Sequence, residues 1–166
     1  MGAADRTRGG EGVAGPRDPA AAPVPGPAID VFGLGQCAYD HLLLVPRFPG
    51  PHEKVEGQGL LRACGGPVAT ALWALARWGR RCAFAGVVGD DDAGEAIGSD
   101  LLAAGVDVGN LVVRPGHRSQ EAFVTVAEGS GERRIAWQRP TGPAPTPEDL
   151  HPPRARVFLT DGLFGE

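Results

Sequence analysis

The sequence is poor in the residues that would point to several common functions. Lysine is nearly absent, since only Lys54 among the 16 basic residues is a lysine. The formal net charge is −4 and the arginines are scattered, so no basic field exists to attract nucleic acid. No apolar run approaches the roughly 20 residues that span a bilayer, and the N-terminus has no apolar signal core. Cysteine is limited to Cys37, Cys64 and Cys82, an odd set without a Cys-x-x-Cys pair. His41, His52, His117 and His151 form no spaced pair, which leaves neither a disulfide framework nor a zinc site. Each cysteine reads as a small buried hydrophobe with a reduced thiol. These absences lead to the expectation of a soluble cytoplasmic protein with no nucleic-acid or membrane partner and no metal ligands.

Glycine and proline are abundant, at 26 and 16 residues. Their distribution divides the chain. Residues 1–28 are mostly Gly, Ala and Pro, without an aromatic residue, and read as a disordered tail that cannot bury enough surface to offset ordering entropy. Structure is expected from Ala28-Ile-Asp-Val-Phe-Gly-Leu-Gly35, a buried strand feeding a loop. The following stretch, through Pro46, Pro49, Gly50 and Pro51, is expected to hold no regular element, with an exposed strand over Val55 to Arg62. Arg81 to Val88, Leu111 to Val113 and Arg156 to Thr160 read as further strands, with a helix from the Asp90-Asp91-Asp92 turn to about Ala104. The alternation of strand and helix implies a parallel sheet with right-handed crossovers. Ala122 to Val126 and Arg134 to Trp137 flank a turn-rich segment and read as a β-hairpin.

The richest local pattern is Ala63-Cys-Gly-Gly-Pro-Val-Ala-Thr-Ala-Leu-Trp-Ala-Leu-Ala-Arg-Trp-Gly79. Gly65 and Gly66 permit unusual dihedrals and close backbone approach, Pro67 suits a first helical position, and Gly79 suits a left-handed cap. Val68, Ala71, Leu72, Leu75 and Trp78 recur at helical spacing. Two readings stand: a helix start whose free N–H groups face a polar or anionic ligand, or a glycine turn before a core helix.

Taken in order, Gly33-Leu-Gly-Gln-Cys-Ala-Tyr-Asp40, the diglycine helix, Val87-Val-Gly-Asp-Asp-Asp-Ala-Gly94, Gly105-Val-Asp-Val108 and Thr160-Asp-Gly162 resemble the ribokinase-like (PfkB-type) carbohydrate kinase family. The resemblance covers residues 29–166 and only the N-terminal half of such an enzyme. It implies a three-layer α/β/α sandwich with a small β-sheet lid, built from segments at about 44–63 and 118–138, and with the C-terminal half absent. It implies transfer of the ATP γ-phosphoryl group, with Mg²⁺, to a hydroxymethyl group of a sugar.

By the same resemblance Asp40 falls on the sugar-binding aspartate, where a carboxylate can accept hydrogen bonds from two vicinal hydroxyls; the other reading is a loop cap. Gly65 and Gly66 fall on the family's diglycine. Thr70 stands where the family usually has Asn, and Ala38 where ribokinases proper carry a polar contact, so ribose becomes less fitting. Arg139 resembles an arginine that reaches acceptor or phosphate in fructokinase-type members, or is a solvated arginine. Asp161 lines the acceptor pocket or caps a turn. The aspartate triple matches a structural turn and helix start. The family's Gly-Ala-Gly-Asp signature, which supplies the general base and an anion hole, does not occur, nor does a Walker A pattern. No catalytic residue is therefore assigned, and this chain alone is expected to be inactive. The alternative is a non-catalytic sugar-binding or dimerising module, with the lid pairing across a two-fold axis.

Overall fold

The computed structural model describes residues 29–162. The tail expected over 1–28 lies outside the described residues. Two four-stranded sheets share the chain. The first has the order β5-β4-β1-β8 and is parallel throughout, with β1 at Ile29–Leu34, β4 at Cys82–Gly89, β5 at Val106–Arg114 and β8 at Ala155–Thr160. The second has the order β3-β2-β6-β7, from β2 at Ala38–Val45, β3 at Gly59–Gly65, β6 at Glu121–Ala127 and β7 at Arg133–Gln138. Within it β2 pairs antiparallel with β3 and parallel with β6, and β6 and β7 form the expected hairpin.

Helix α1 spans Pro67–Arg77 and α2 spans Asp92–Ala103. The β1-α1-β4 and β4-α2-β5 steps advance across the sheet in one direction, so right-handed crossovers place both helices on one face. One core results there: Val68 and Leu72 of α1 meet Ile97 and Leu101 of α2 over Phe84, Val88 and Val106. Strand β4, buried along its whole length, carries a continuous apolar run, as a central parallel strand must. On the opposite face Phe32, Ala83 and Ala85 are covered in part by Leu150, just after a single 3₁₀ turn at Pro147–Asp149.

Helix α1 ends as its sequence implies. Gly79 has φ +82°, its N–H reaches the Ala76 carbonyl at 2.9 Å, and the Arg80 N–H reaches Leu75 at 3.0 Å, the pair of bonds of a Schellman cap. Trp78, read as part of the apolar stripe, is instead 77 % exposed, because it occupies the capping residue where the helix already turns away from the core.

Three strands depart from the sequence reading. Residues 38–45 form β2, although no regular element was expected before Pro46. The run Leu42-Leu-Leu-Val45 is a strand that Pro46 terminates, and its pairing partners lie far away in sequence. The exposed strand expected over Val55 to Arg62 forms later, at Gly59–Gly65, since its register is set by Ala38 opposite Gly65. Around the stretch at about 44–63, the strands of the second sheet run over 38–45 and 59–65. Strand β5 is longer than the expected Leu111 to Val113, because pairing with β4 extends it past a register shift between Ala83 and Ala85.

The β6–β7 excursion leaves and returns at one point. The Thr141 N–H donates to the Arg118 carbonyl at 3.1 Å, and the Thr141 hydroxyl accepts from the Arg118 N–H at 2.9 Å. Beyond it, Arg114 holds Asp149 through two N–H donors at 3.2 and 2.6 Å, and the guanidinium keeps that carboxyl depressed to about 2.

Leu72 is fully buried at the meeting of α1 with the sheet, and its methyl group fills the space that a side chain at Gly33 would need. Truncating it leaves a cavity that close-packed neighbours cannot collapse into. Leu72→Ala is expected to lower unfolding free energy by about 2–5 kcal/mol, read as a reduced urea midpoint at unchanged m-value.

Candidate functional site

Strand alternation decides which side chains meet. In β2 the residues Ala38, Asp40, Leu42 and Leu44 face one side of the second sheet, while Tyr39, His41 and Leu43 face the other. The register places Asp40 opposite Ala63 of β3 and opposite Ala122 of β6, and Ala122 opposite Trp137 of β7. A row Ala63, Asp40, Ala122, Trp137 therefore crosses the sheet. The two small neighbours leave a notch around the carboxylate.

That notch opens into a concave space of about 250 Å³ lined by Gln36, Ala38, Asp40, Gly66, Pro67, Gln120, Ala122, Ile135 and Trp137. Asp40 is half-buried there, and among the described residues no group donates a hydrogen bond to its carboxylate. Burial pushes its pKa above the ordinary value, with the neighbouring His41 opposing more weakly. The site thus holds an acceptor-only group awaiting donors.

The diglycine is shaped to this carboxylate. A Cβ on Gly65 would collide with all three carboxyl atoms of Asp40. Gly66 has φ +96°, and a Cβ there would lie 2.5 Å from the Gln36 carbonyl oxygen. Gly66 caps α1 without any side-chain hydrogen bond, and Pro67 removes one donor, so the first-turn N–H groups beyond it lack a side-chain cap. The diglycine is a tight turn before a core helix, and its Gly66 lines the cavity.

The other expected residues divide. Arg139 is exposed at the rim, with its guanidinium 5.0 Å from the centroid of the Trp137 ring. Thr70 is exposed one turn into α1 and is not among the lining residues. Asp161 does not line the space either; its Oδ2 accepts the Gln36 N–H at 2.8 Å, tying the end of β8 to the β1–β2 connection. His41 lies on the opposite face, stacked on Phe123 at 4.8 Å and 2.9 Å from Glu121 Oε1. Cys37 and Cys64 flank the site from the core side. Burial raises both thiols, Cys64 to about 12, so both stay protonated at neutral pH.

Sequence reasoning overlooked Gln36 and Gln120. The Gln120 side chain donates from Nε2 to Gln36 Oε1 at 3.2 Å across the cavity. Their placement depends on the parallel β2–β6 pairing between segments some 80 residues apart, for which no local pattern exists. Ile135 and Trp137 were placed on a hairpin, but which face they share with Asp40 is again fixed by that pairing.

Among the described residues no group of three or more His, Cys, Asp or Glu converges to hold a metal ion.

This two-sheet α/β architecture has counterparts among known proteins. The model of the pfkB family carbohydrate kinases matches residues 28–160. The chain belongs to that family. Fructokinase-1 of Oryza sativa subsp. japonica is 38% identical over 109 residues, covering 66% of this chain and 32% of the relative. Ribokinase of Haemophilus influenzae is 32% identical over 97 residues, covering 58% and 32%. The crystal structure of ribokinase from Cryptococcus neoformans var. grubii serotype A, in complex with ADP, superimposes with TM-score 0.57 at 26% identity, over 67% of this chain and 35% of that one. The chain spans about a third of the length of these curated relatives. The fold is the α/β fold of ribokinase-type kinases.

The contact between Gly65 and Asp40 is directly testable. Gly65→Ala forces the carboxylate out of its notch while leaving the backbone φ in an ordinary region. It is expected to abolish whatever ligand binding the cavity supports at a cost in melting temperature of only a few degrees, measured by thermal denaturation beside ligand titration. Gly66→Ala, strained in both backbone and contact, is expected to lower the melting temperature further.

Proposed function

We propose that this chain is the acceptor-binding part of an ATP-dependent sugar kinase, whose phosphoryl acceptor is a hydroxymethyl group of a small sugar. The observation that carries the reading is Asp40, an unpartnered half-buried carboxylate in a cavity beside the diglycine of a pfkB-family chain. A carboxylate with two open oxygens accepts hydrogen bonds from vicinal hydroxyls, and the Gln36–Gln120 amides retain donors and acceptors for others. The Ile135 and Trp137 surfaces suit the apolar face of a sugar ring. The fructokinase resemblance favours a fructose-type acceptor, and Ala38 in the lining supports the same preference over ribose. Arg139, held against Trp137 at the rim, is suited to reach the acceptor or its phosphate once the second sheet closes as a lid. Thr70 and Asp161 act less directly, Thr70 at the outer end of the α1 first turn and Asp161 through the Gln36 backbone.

In this reading ATP and Mg²⁺ are held outside the described residues and supply the phosphoryl group and its charge neutralisation; the chain alone binds sugar without turning it over. The reaction would take place in the cytoplasm. Among the described residues no helix is long and apolar enough to cross a membrane. Exposed Leu61, Ile135 and Trp137 on one face of the second sheet favour a lid that pairs with a second copy across a two-fold axis.

Thermal denaturation of the purified chain with D-fructose, D-ribose and adenosine tests the assignment. Stabilisation that rises with sugar concentration is expected, strongest with fructose, together with no sugar-dependent release of ADP from ATP. No shift with any of them would overturn it.

Asp40→Asn is expected to weaken sugar binding by about 1.5–3 kcal/mol, the worth of hydrogen bonds to a charged group. The pH dependence follows from the raised carboxyl. Binding needs the ionised form, so affinity is full above the raised pKa and falls as pH drops through it. Because the folded value of Asp40 lies above the unfolded one, its own protonation favours the folded state over the same window. Titration calorimetry across mildly acidic pH should show this decline, and Asp40→Asn should remove it.

A further inference from the structure

The motif Gly89-Asp-Asp-Asp-Ala-Gly94 has a role that the acceptor reading does not absorb. Asp91 caps α2 by accepting the Gly94 N–H on Oδ1 at 2.9 Å. The same Oδ1 accepts the Ser119 hydroxyl at 2.5 Å, and Oδ2 accepts the Ser119 N–H at 2.8 Å. Ser119 is fully buried, and its hydroxyl oxygen in turn accepts the Gly89 N–H at 2.9 Å. Asp90 adds a bond from the Gly116 N–H at 2.8 Å. The two glycines make room for this: a Cβ on Gly89 would overlap the His117 carbonyl, and one on Gly94 would lie 2.9 Å from Ser119 Oγ and overlap the Gly89 carbonyl.

Every oxygen of Asp91 is thus committed, and most of the commitment is to one residue outside its own helix. Ser119 immediately precedes Gln120, which lines the cavity, donates to Gln36 through its side chain, and accepts the Tyr39 N–H on its carbonyl at 2.9 Å. Tyr39 is the neighbour of Asp40. Hydrogen bonds from the β4–α2 turn to Ser119, and from its chain neighbour Gln120 to Gln36 and Tyr39, connect that turn to the wall of the cavity.

We propose that Asp91 is a positioning residue for the sugar site: through Ser119 it fixes the start of β6, and so holds Gln120 and Ala122 at the spacing from Asp40 that a sugar requires. This rests on the acceptor reading above. Both Asp91 oxygens accept from Ser119, and an amide can present only one acceptor, so Asp91→Asn sets a donor against a donor with almost no change of shape. Ser119→Ala removes both bonds of the hydroxyl, to Asp91 and from the Gly89 N–H, and keeps the Ser119 N–H contact to Asp91. Asp92, exposed in the first turn of α2, provides the control at equal charge change.

The test uses the chain with Trp73→Phe and Trp78→Phe, which leaves Trp137 as the sole tryptophan, on the cavity wall. D-fructose and D-ribose are titrated against its emission, and hydrogen exchange is followed over 119–127. Asp91→Asn and Ser119→Ala are expected to weaken sugar binding about tenfold, shift the sugar-free Trp137 emission and speed exchange in β6, with Asp92→Asn changing none of these. Faster exchange with unchanged sugar affinity would overturn the proposal, since the contact would then be structural only. Absence of any sugar response in the unsubstituted background would overturn the acceptor reading itself, and the proposal with it.

Discussion

Everything in this molecule that touches the cavity depends on the register of β2. The strand is held on both edges, antiparallel to β3 and parallel to β6, over seven residue pairs on each side. Side chains alternate, so a slip of one residue would turn Asp40 to the opposite face of the sheet and bring Tyr39 or His41 to the cavity. Two kinds of contact oppose such a slip. Tyr39 packs against the main core, and the Asp40 carboxylate rests on Gly65, a contact that no residue with a side chain at that position permits.

The core face and the cavity are consequently coupled through a few residues of backbone. Cys37 and Ala38 are buried, and Asp40 two residues further on reaches into the open notch. The desolvation that raises Asp40 is imposed by neighbours whose own places are set by apolar packing. A polar site of this kind needs no strong ion pair to keep its shape. Its geometry is inherited from close-packed hydrophobic layers on one side and from main-chain ladders on the other.

Local pattern revealed much of the first sheet. The glycine-bounded apolar runs at β1, β4 and β8, the cap of α1 and the hairpin turn around Ser130 all announce themselves within a dozen residues. Strand β2 did not, because proline and glycine follow it closely and its partners lie in β3 and in the distant β6. The resemblance singles out Asp40 as a candidate, yet its position in the middle of a strand instead of a loop becomes apparent only from long-range pairing. Gln36 and Gln120 carried no signal at all. Amides are common, and nothing within either segment tells that the two meet. Thr70 illustrates the converse: one turn along a helix from a cavity residue, it points outward, since helical spacing alone does not determine which neighbouring element closes over it.

The junction of Arg118 with Thr141 has a wider meaning. Because the β6–β7 ribbon departs and rejoins at adjacent backbone positions, the parallel sheet sees the same two anchor points whatever lies between them. Ribbon length and sequence are thereby uncoupled from the stability of the layers beneath. A ribbon anchored in this way can change in length or sequence while its two attachment points to the strands and helices of the parallel sheet stay where they are.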